Sequence, residues 1–262
     1  MKHRRRAVII RTAIWAILTL ACCDWMTAQA AEPQNLELET RQFKVSVDGK
    51  ERGKCTMQIR RRNDGTDKMT IDAGLSFNFV VYEYRYHSAG SEIWKDGRLL
   101  QLDNTADFNG TKYVVKAGSD PNGLVATVNG KKSQLAADAW VTSYWRLPDH
   151  LAEKTAETKD GVVPAGGTRS PAQRNAKTVL KKGPHSVALL DSDKGQHLHG
   201  KITHVGDEML TVAGKRQTCA HYRIAGDVQV ELWYDATRRL VRQESVDDGH
   251  KTLMEITRIA AE

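Results

Sequence analysis

Residues 99–130 read LLQLDNTADFNGTKYVVKAGSDPNGLVATVNG, and this stretch decides the fold. Apolar and polar residues alternate in short runs, which is typical of strands that bury one face. Three Asn-Gly pairs end these runs, at Asn109-Gly110, Asn122-Gly123 and Asn129-Gly130. Both residues of an Asn-Gly pair accept the positive φ angles that a two-residue hairpin turn requires. The stretch therefore predicts consecutive antiparallel hairpins.

The same pattern extends in both directions along the chain. Asp48-Gly49 and Asp96-Gly97 predict two more hairpin turns, and Gly206-Asp207, Gly226-Asp227 and Asp248-Gly249 predict turns between later strands. No alternation of strands with long helices is present, so parallel βαβ units are not expected. Besides those within residues 99–130, we predict strands at 43–47, 55–59, 69–75, 77–86, 92–95, 187–190, 198–205, 209–212, 216–225, 228–234, 239–245 and 252–259.

One segment breaks the alternation. Between Ala136 and Leu147, the apolar residues Trp140, Tyr144 and Leu147 follow helical spacing, so we predict a short helix there that covers one side of the sheet. The fold class predicted is all-β and mainly antiparallel. A strongly curved meander sheet, half-barrel or barrel accommodates so many consecutive hairpins.

The N-terminus has the pattern of an export signal. A basic stretch at Lys2–Arg6 precedes an apolar run at 7–23 and an Ala28-Gln29-Ala30 cleavage site. We therefore expect residues 1–30 to be a signal peptide and the exported protein to be periplasmic or extracellular. Arg11 interrupts the apolar run, so we expect no transmembrane span. A lipid anchor at Cys22 or Cys23 is the alternative, although the residues before them fit a lipoprotein box only loosely.

Much of the positive formal charge of the chain lies in the expected signal peptide. Removal of residues 1–30 takes five Lys or Arg and one Asp, so the formal charge falls from +7 to +3. A charge this small gives no support for a nucleic-acid partner.

Residues 31–262 are expected to form a single antiparallel β domain. The segment 152–184 is rich in Gly, Pro, Lys, Ala and Thr and has almost no bulky apolar residues. Such a composition buries too little surface to offset the entropy of ordering, so the sequence predicts a mobile insertion there. Cys55 alternates with apolar neighbours and Cys219 with polar ones, so we favour free thiols over a disulfide.

Two short segments share one pattern. Glu92-Ile93-Trp94-Lys95-Asp96 and Glu231-Leu232-Trp233-Tyr234-Asp235 both read E-x-W-x-D and are followed by Arg-Leu, so they predict the same hairpin type twice. If the two hairpins faced each other, their indoles could stack on a sugar and their carboxylates act as acid and base. Packing and turn formation explain the same residues and are favoured. The candidate ligand-binding residues are Trp94, Trp233, Glu92, Glu231, Tyr84 and Trp145.

Other candidate sites are weaker. His197 and His199 share one strand face, but His204 falls on the opposite face, so a regular strand cannot bring all three to one metal. Ser143 lacks the glycines of a nucleophile elbow. We therefore predict no metal site, no cofactor and no catalytic residue.

The run Ser91–Leu99, the segment Thr142–Trp145 and the run Glu231–Asp235 together resemble an uncharacterised family of secreted bacterial β-sheet proteins, a domain of unknown function. The resemblance spans about 43–259, and the long insertion after Trp145 departs from the family pattern. It implies no activity. In outline the family is similar to the curved sheets of periplasmic lipoprotein carriers, which hold acyl chains in a concave apolar face.

The functional prediction is a non-enzymatic exported protein that binds a lipid-like or amphipathic small molecule in a concave face. It rests on a curved sheet whose aromatic run, from Phe77 to Tyr86, places rings on both faces of one long strand. The alternatives are a carbohydrate-active hydrolase that uses the two E-x-W-x-D hairpins, and a structural envelope protein without a ligand. No oligomeric state follows from the sequence.

Overall fold

The computed structural model describes residues 35–78, 83–148, 183–247 and 249–261. The expected signal peptide lies outside the described residues, as does all but the end of the expected insertion. Strands account for most of the described chain. They are β1 (Asn35–Val47), β2 (Lys50–Arg62), β3 (Thr66–Asn78), β4 (Glu83–Lys95), β5 (Arg98–Phe108), β6 (Thr111–Asp120), β7 (Gly123–Val128), β8 (Lys131–Leu135), β9 (Trp140–Val141), β10 (His185–Leu190), β11 (His197–Val212), β12 (Lys215–Gly226), β13 (Gln229–Tyr234), β14 (Leu240–Asp247) and β15 (His250–Ala261).

All fifteen strands belong to one sheet, in the order β8-β7-β6-β5-β4-β3-β2-β1-β15-β14-β13-β12-β11-β10-β9. Every neighbouring pair is antiparallel except β9 with β10. The predicted all-β, mainly antiparallel fold class is therefore confirmed. Within the described residues no helix has the length and apolarity needed to span a bilayer.

The hairpin turns follow from the turn residues. The φ angles are 50° and 77° at Asp48-Gly49, 49° and 76° at Asp96-Gly97, and 53° and 89° at Asn109-Gly110. In each case the flanking residues pair directly, so the loop has two residues with positive φ, as in a type I′ turn. These three predicted hairpins are confirmed, and Asn129-Gly130 forms a fourth.

One predicted turn is wrong. Gly206-Asp207 does not end a strand, because β11 continues through it to Val212. The pairing with β12 shifts register between His204 and Gly206, so the glycine marks a β-bulge rather than a turn. The chain reverses instead at Ala213-Gly214, where the φ angles are 47° and 83°.

The aromatic run is also not one long strand. Phe77 lies next to the last residue of β3 and pairs with Tyr84 of β4, and their ring centroids are 5.1 Å apart. Residues 79–82, between the two strands, lie outside the described residues. The prediction failed because this part of the sequence lacks the Gly, Pro or Asn-Gly signal that usually marks a hairpin. The rings of Phe77 and Tyr84 therefore share one face.

The predicted helix over 136–147 is wrong. Trp140 and Val141 form the short strand β9 beside β10, and Tyr144 adopts a left-handed φ of 49°, which a helix excludes. Buried residues at Trp140, Val141, Tyr144, Trp145 and Leu147 show that the segment is enclosed on several sides. An enclosed segment is apolar in every direction, so its spacing carries no reliable helical signal. We call residues 139–147 the inner segment.

The sheet curves so far that β8, at one end, reaches β11 near the other end. Ser133 of β8 hydrogen-bonds His197 at the start of β11 over 2.8 Å, although eleven strands separate β8 from β11 in the sheet order. Within the described residues the two end strands, β8 and β9, are not hydrogen-bonded to each other, so the sheet is not closed.

Side-chain contacts hold the inner segment inside the curved sheet. Arg41 of β1 donates to the Trp145 carbonyl over 2.9 Å, and the Tyr234 hydroxyl donates to the Tyr144 carbonyl over 2.8 Å.

Candidate functional site

A cavity of about 250 Å³ lies between the inner segment and the concave face of the sheet. Strand alternation supplies one wall, because every second residue of β2, β3 and β4 points inward. That wall is largely apolar, and Tyr84, Tyr86 and Phe108 add rings to it. The apolar and aromatic lining residues are Val45, Cys55, Met57, Ile71, Ala73, Leu75, Tyr84, Tyr86, Leu102, Phe108 and Met254.

Asp193, which also lines the cavity, is the centre of a polar cluster. Tyr86 donates to its Oδ2 over 2.7 Å, and Ser88 and Asn104 donate to its Oδ1 over 2.7 and 3.1 Å. Asn104 also donates to the Ser192 carbonyl over 2.8 Å. The cluster fastens the loop that follows β10 to the inner faces of β4 and β5. Burial raises the pKa of the Tyr86 hydroxyl, and the Asp193 carboxylate adds to that effect.

Glu92 forms a second polar point in the same cavity. Its side chain is 2% exposed, and its Oε2 accepts hydrogen bonds from the Trp94 indole over 2.7 Å and the Trp145 indole over 2.9 Å. Burial raises the pKa of the Glu92 carboxyl, and the neighbouring Ser143 hydroxyl and the two indole N–H groups oppose that rise. A carboxyl held here at neutral pH therefore takes up a proton more readily than one in water.

Four of the six candidate residues come together at this cavity. Glu92 and Tyr84 line it, while Trp94 and Trp145 hold Glu92 in place. Trp145 reaches Glu92 because the inner segment crosses the concave face, an arrangement that strand alternation alone cannot predict.

Glu231 and Trp233 lie elsewhere. Tyr234 points inward to the inner segment, so its neighbour Trp233 points to the other face of the sheet. There Trp233 stacks on His221 at 4.2 Å between ring centroids, and its indole donates to Glu208 over 3.0 Å. Glu231 contacts the Nε2 atom of His221 over 2.6 Å and lines a separate groove of about 340 Å³.

The two E-x-W-x-D copies also build different turns. Asp96 occupies the first position of a two-residue turn, where its φ is positive. Asp235 instead accepts hydrogen bonds from the backbone N–H groups of Thr237 and Arg239, and it closes a longer loop. Glu92 and Glu231 line different cavities, so they do not flank one site as the two carboxylates of a glycoside hydrolase do. The prediction of one hairpin type built twice is therefore wrong.

Both cysteines of the described chain are free and buried. Burial raises the pKa of the Cys55 thiol to about 12, and Cys55 lines the cavity. A thiol with so high a pKa is a poor nucleophile at neutral pH. In the part of the chain that the structure describes, no group of three His, Cys, Asp or Glu side chains is arranged to hold a metal ion.

The sequence analysis missed the polar cluster around Asp193. A usable signal existed, because Ser88 shares its strand face with Tyr86 and Glu92, and Asn104 shares its face with Leu102. A polar residue at an inward position of a strand must find a hydrogen-bond partner, which points to a second element inside the sheet. The identity of that partner, Asp193, depends on the loop after β10 and is not encoded locally.

Comparison with known proteins agrees with the fold. Residues 43–257 match the family model of a domain of unknown function, DUF6134. Among solved structures, the crystal structure of a beta-barrel-like protein of domain of unknown function DUF1849 from Brucella abortus is similar, with a TM-score of 0.55. The two share 6% sequence identity, over 88% of this chain and 98% of that chain, so the likeness shows the fold alone. No curated protein sequence matches the chain. The predicted resemblance to an uncharacterised β-sheet family is confirmed.

Proposed function

This chain belongs to the DUF6134 family, and on that premise we propose that it is an exported, non-enzymatic protein that binds a small amphipathic molecule in its interior cavity. The observation that carries the proposal is the mixed lining of the cavity. Apolar side chains of β2 and β3 line it together with polar groups of Glu92, Asp193 and Asn104. Binding sites for small molecules combine a mostly apolar wall with a few placed polar groups in this way.

The size of the cavity limits the ligand. An apolar cavity of about 150 Å³ accommodates benzene, so about 250 Å³ suits a molecule of roughly ten non-hydrogen atoms. That is the size of a short alkyl chain with a head group or of one substituted ring. A full-length lipid acyl chain is longer than this, so the proposal is for a short lipid-like molecule.

Export is part of the proposal. The basic stretch, apolar run and Ala28-Gln29-Ala30 site support removal of residues 1–30 and a periplasmic or extracellular location. Intact-mass measurement of the protein recovered from its native envelope tests this point directly. A mass equal to that of a chain that begins at Ala31 supports it. A mass that includes the N-terminal residues, or a lipid on Cys22 or Cys23, contradicts it.

A cavity-filling variant tests ligand binding. Ala73 lines the cavity and tolerates a larger apolar side chain only at the expense of that space, so Ala73→Leu reduces the room for a ligand. Thr105→Leu adds a similar apolar side chain on an exposed strand position and is the matched control. In native mass spectrometry of protein purified from its own envelope, wild type and Thr105→Leu are expected to carry a small bound molecule, and Ala73→Leu to carry much less.

Two results would overturn the proposal. One is an equal load of bound molecule in wild type and Ala73→Leu. The other is wild-type protein that is purified without any bound molecule and also fails to bind short amphipathic probes of either charge. A melting temperature for Ala73→Leu close to that of wild type separates loss of binding from loss of folding.

A further inference from the structure

The charged groups of the cavity lining are all carboxyl groups. Glu92 and Asp193 supply two carboxyl groups, and the lining residues include no Lys, Arg or His. The remaining polar lining groups are neutral hydroxyls and amides. A buried negative head group would therefore meet no cation in the lining, and an unpaired buried charge is strongly unfavourable.

Two cations near the cavity lie over aromatic rings. The Lys194 Nζ atom is 5.0 Å from the centroid of the Phe108 ring, and the Arg146 guanidinium carbon is 5.7 and 5.5 Å from the Trp94 and Trp145 rings. Each of these rings lies on the cavity wall or holds a residue of it. These two cations are engaged with ring faces, and neither is among the residues that line the cavity.

The carboxyl groups keep capacity to accept hydrogen bonds. Both indole bonds to Glu92 fall on Oε2, and Oε1 has two lone pairs, so beside the Ser143 hydroxyl it can accept from a further donor. Asp193 Oδ2 accepts from Tyr86 and retains a second lone pair. The Ser143 hydroxyl, which belongs to the same lining, is shielded from solvent and lies beside the Glu92 carboxyl.

We propose that the cavity selects ligands whose head group donates hydrogen bonds and carries no negative charge, namely amines and alcohols, and that it rejects carboxylates and phosphates. This inference rests on the proposed function, because it specifies the head group of the same ligand. The rings of Tyr84, Tyr86 and Phe108 favour an amine further, since an ammonium group is attracted to aromatic faces.

The test uses three probes of equal chain length: octylamine, octan-1-ol and octanoate. Each has about ten non-hydrogen atoms and so matches the cavity volume. Isothermal titration of wild-type protein at pH 7 is expected to give a Kd for octylamine at least tenfold lower than that for octanoate. The Kd for octan-1-ol is expected to lie near that of octylamine, and a value near that of octanoate would overturn the inference for alcohols.

Two variants test whether the carboxyl groups of Glu92 and Asp193 cause the head-group selectivity. Glu92→Gln and Asp193→Asn remove one carboxyl each, so the ratio of octanoate Kd to octylamine Kd is expected to fall at least threefold in each. Glu51→Gln, at an exposed position on β2, is the control and should leave the ratio unchanged.

Octanoate that binds wild type as tightly as octylamine would overturn the head-group inference and leave the proposed binding function standing. Failure of all three probes to bind would contradict both. Because the wild-type series needs no substitution, this outcome does not depend on whether either variant folds.

Discussion

At the scale of single residues, Glu92 is a closely constrained side chain of the cavity. It is buried, it lies on the inner face of β4, and it holds two indoles from different parts of the chain. Polar groups at such positions are costly unless they are fully hydrogen-bonded. Glu92 therefore links the structure of the inner segment to the chemistry of the cavity.

Removal of this carboxyl should destabilise the protein. Glu92→Ala leaves the Trp94 and Trp145 indole N–H groups buried without an acceptor, so the free energy of unfolding is expected to fall by about 2–4 kcal/mol. Glu92→Gln keeps an oxygen that can accept both bonds, so its loss is expected to be about 1 kcal/mol. Urea unfolding followed by tryptophan fluorescence measures both values. Equal losses in the two variants would show that the indole bonds contribute little.

The pH dependence of stability gives a second prediction for Glu92. Burial raises its pKa in the folded state above the value of about 4.3 expected when unfolded. The folded state then binds more protons than the unfolded state between these two values, so this stabilising contribution is complete at low pH and is lost as pH rises through the folded pKa.

Glu92→Gln has no carboxyl at this position, so its free energy of unfolding should lack this pH dependence. Urea unfolding of wild type and Glu92→Gln at pH 4, 5, 6 and 7 is expected to show that the free energy of unfolding of wild type falls relative to that of Glu92→Gln as pH rises. Comparison of the two proteins cancels contributions from other groups, such as Asp191, whose pKa burial also raises. A difference in unfolding free energy that stays constant across this range would contradict the assignment.

At the scale of elements, two-residue turns with positive φ fix the register of the hairpins. Gly110 has a φ of 89°, and a Cβ atom added to it would have no other atom within 4 Å, so only backbone strain opposes a side chain there. Gly110→Ala is expected to lower the free energy of unfolding by about 1–2 kcal/mol.

Gly118 is the matched control in the adjacent strand β6. Its backbone is not left-handed, and an added Cβ meets only the Leu100 carbonyl oxygen, at 4.0 Å. Gly118→Ala should be neutral or stabilise by up to about 1 kcal/mol, because it reduces the freedom of the unfolded chain. Thermal or urea unfolding compares the pair, and equal losses would indicate that the turn conformation is not the cause.

At the scale of the whole molecule, curvature creates the cavity. The concave faces of β2, β3 and β4 surround the inner segment without filling all the space between them, and this leaves about 250 Å³. A ligand that occupies the space binds the folded chain and not the unfolded one, so it must stabilise the fold.

Octylamine at a hundred times its Kd is therefore expected to raise the free energy of unfolding of wild type by about 2.7 kcal/mol. The same concentration should change Ala73→Leu far less, while Thr105→Leu should respond like wild type. Urea unfolding with and without octylamine measures the difference. An equal shift in Ala73→Leu would place the binding outside the cavity.

The sequence by itself determined the strands and most of their turns. The alternation at Cys55, Met57 and Ile59 and the Asn-Gly and Asp-Gly pairs act over a few residues, so local sequence is sufficient to specify an antiparallel meander. The two-residue period of a strand also identified Glu92 and Trp94 as neighbours on one strand face, which the structure confirms.

Only the tertiary structure decided how the inner segment runs and what it meets. Trp140 and Tyr144 are enclosed by the curved sheet, so their spacing suggested a helix where β10 and the concave face impose extended chain and a left-handed turn. The contacts of Trp145 with Glu92 and of Asn104 with Asp193 join residues 53 and 89 positions apart. Such contacts depend on how far the whole sheet curves, and no local pattern of side chains encodes that curvature.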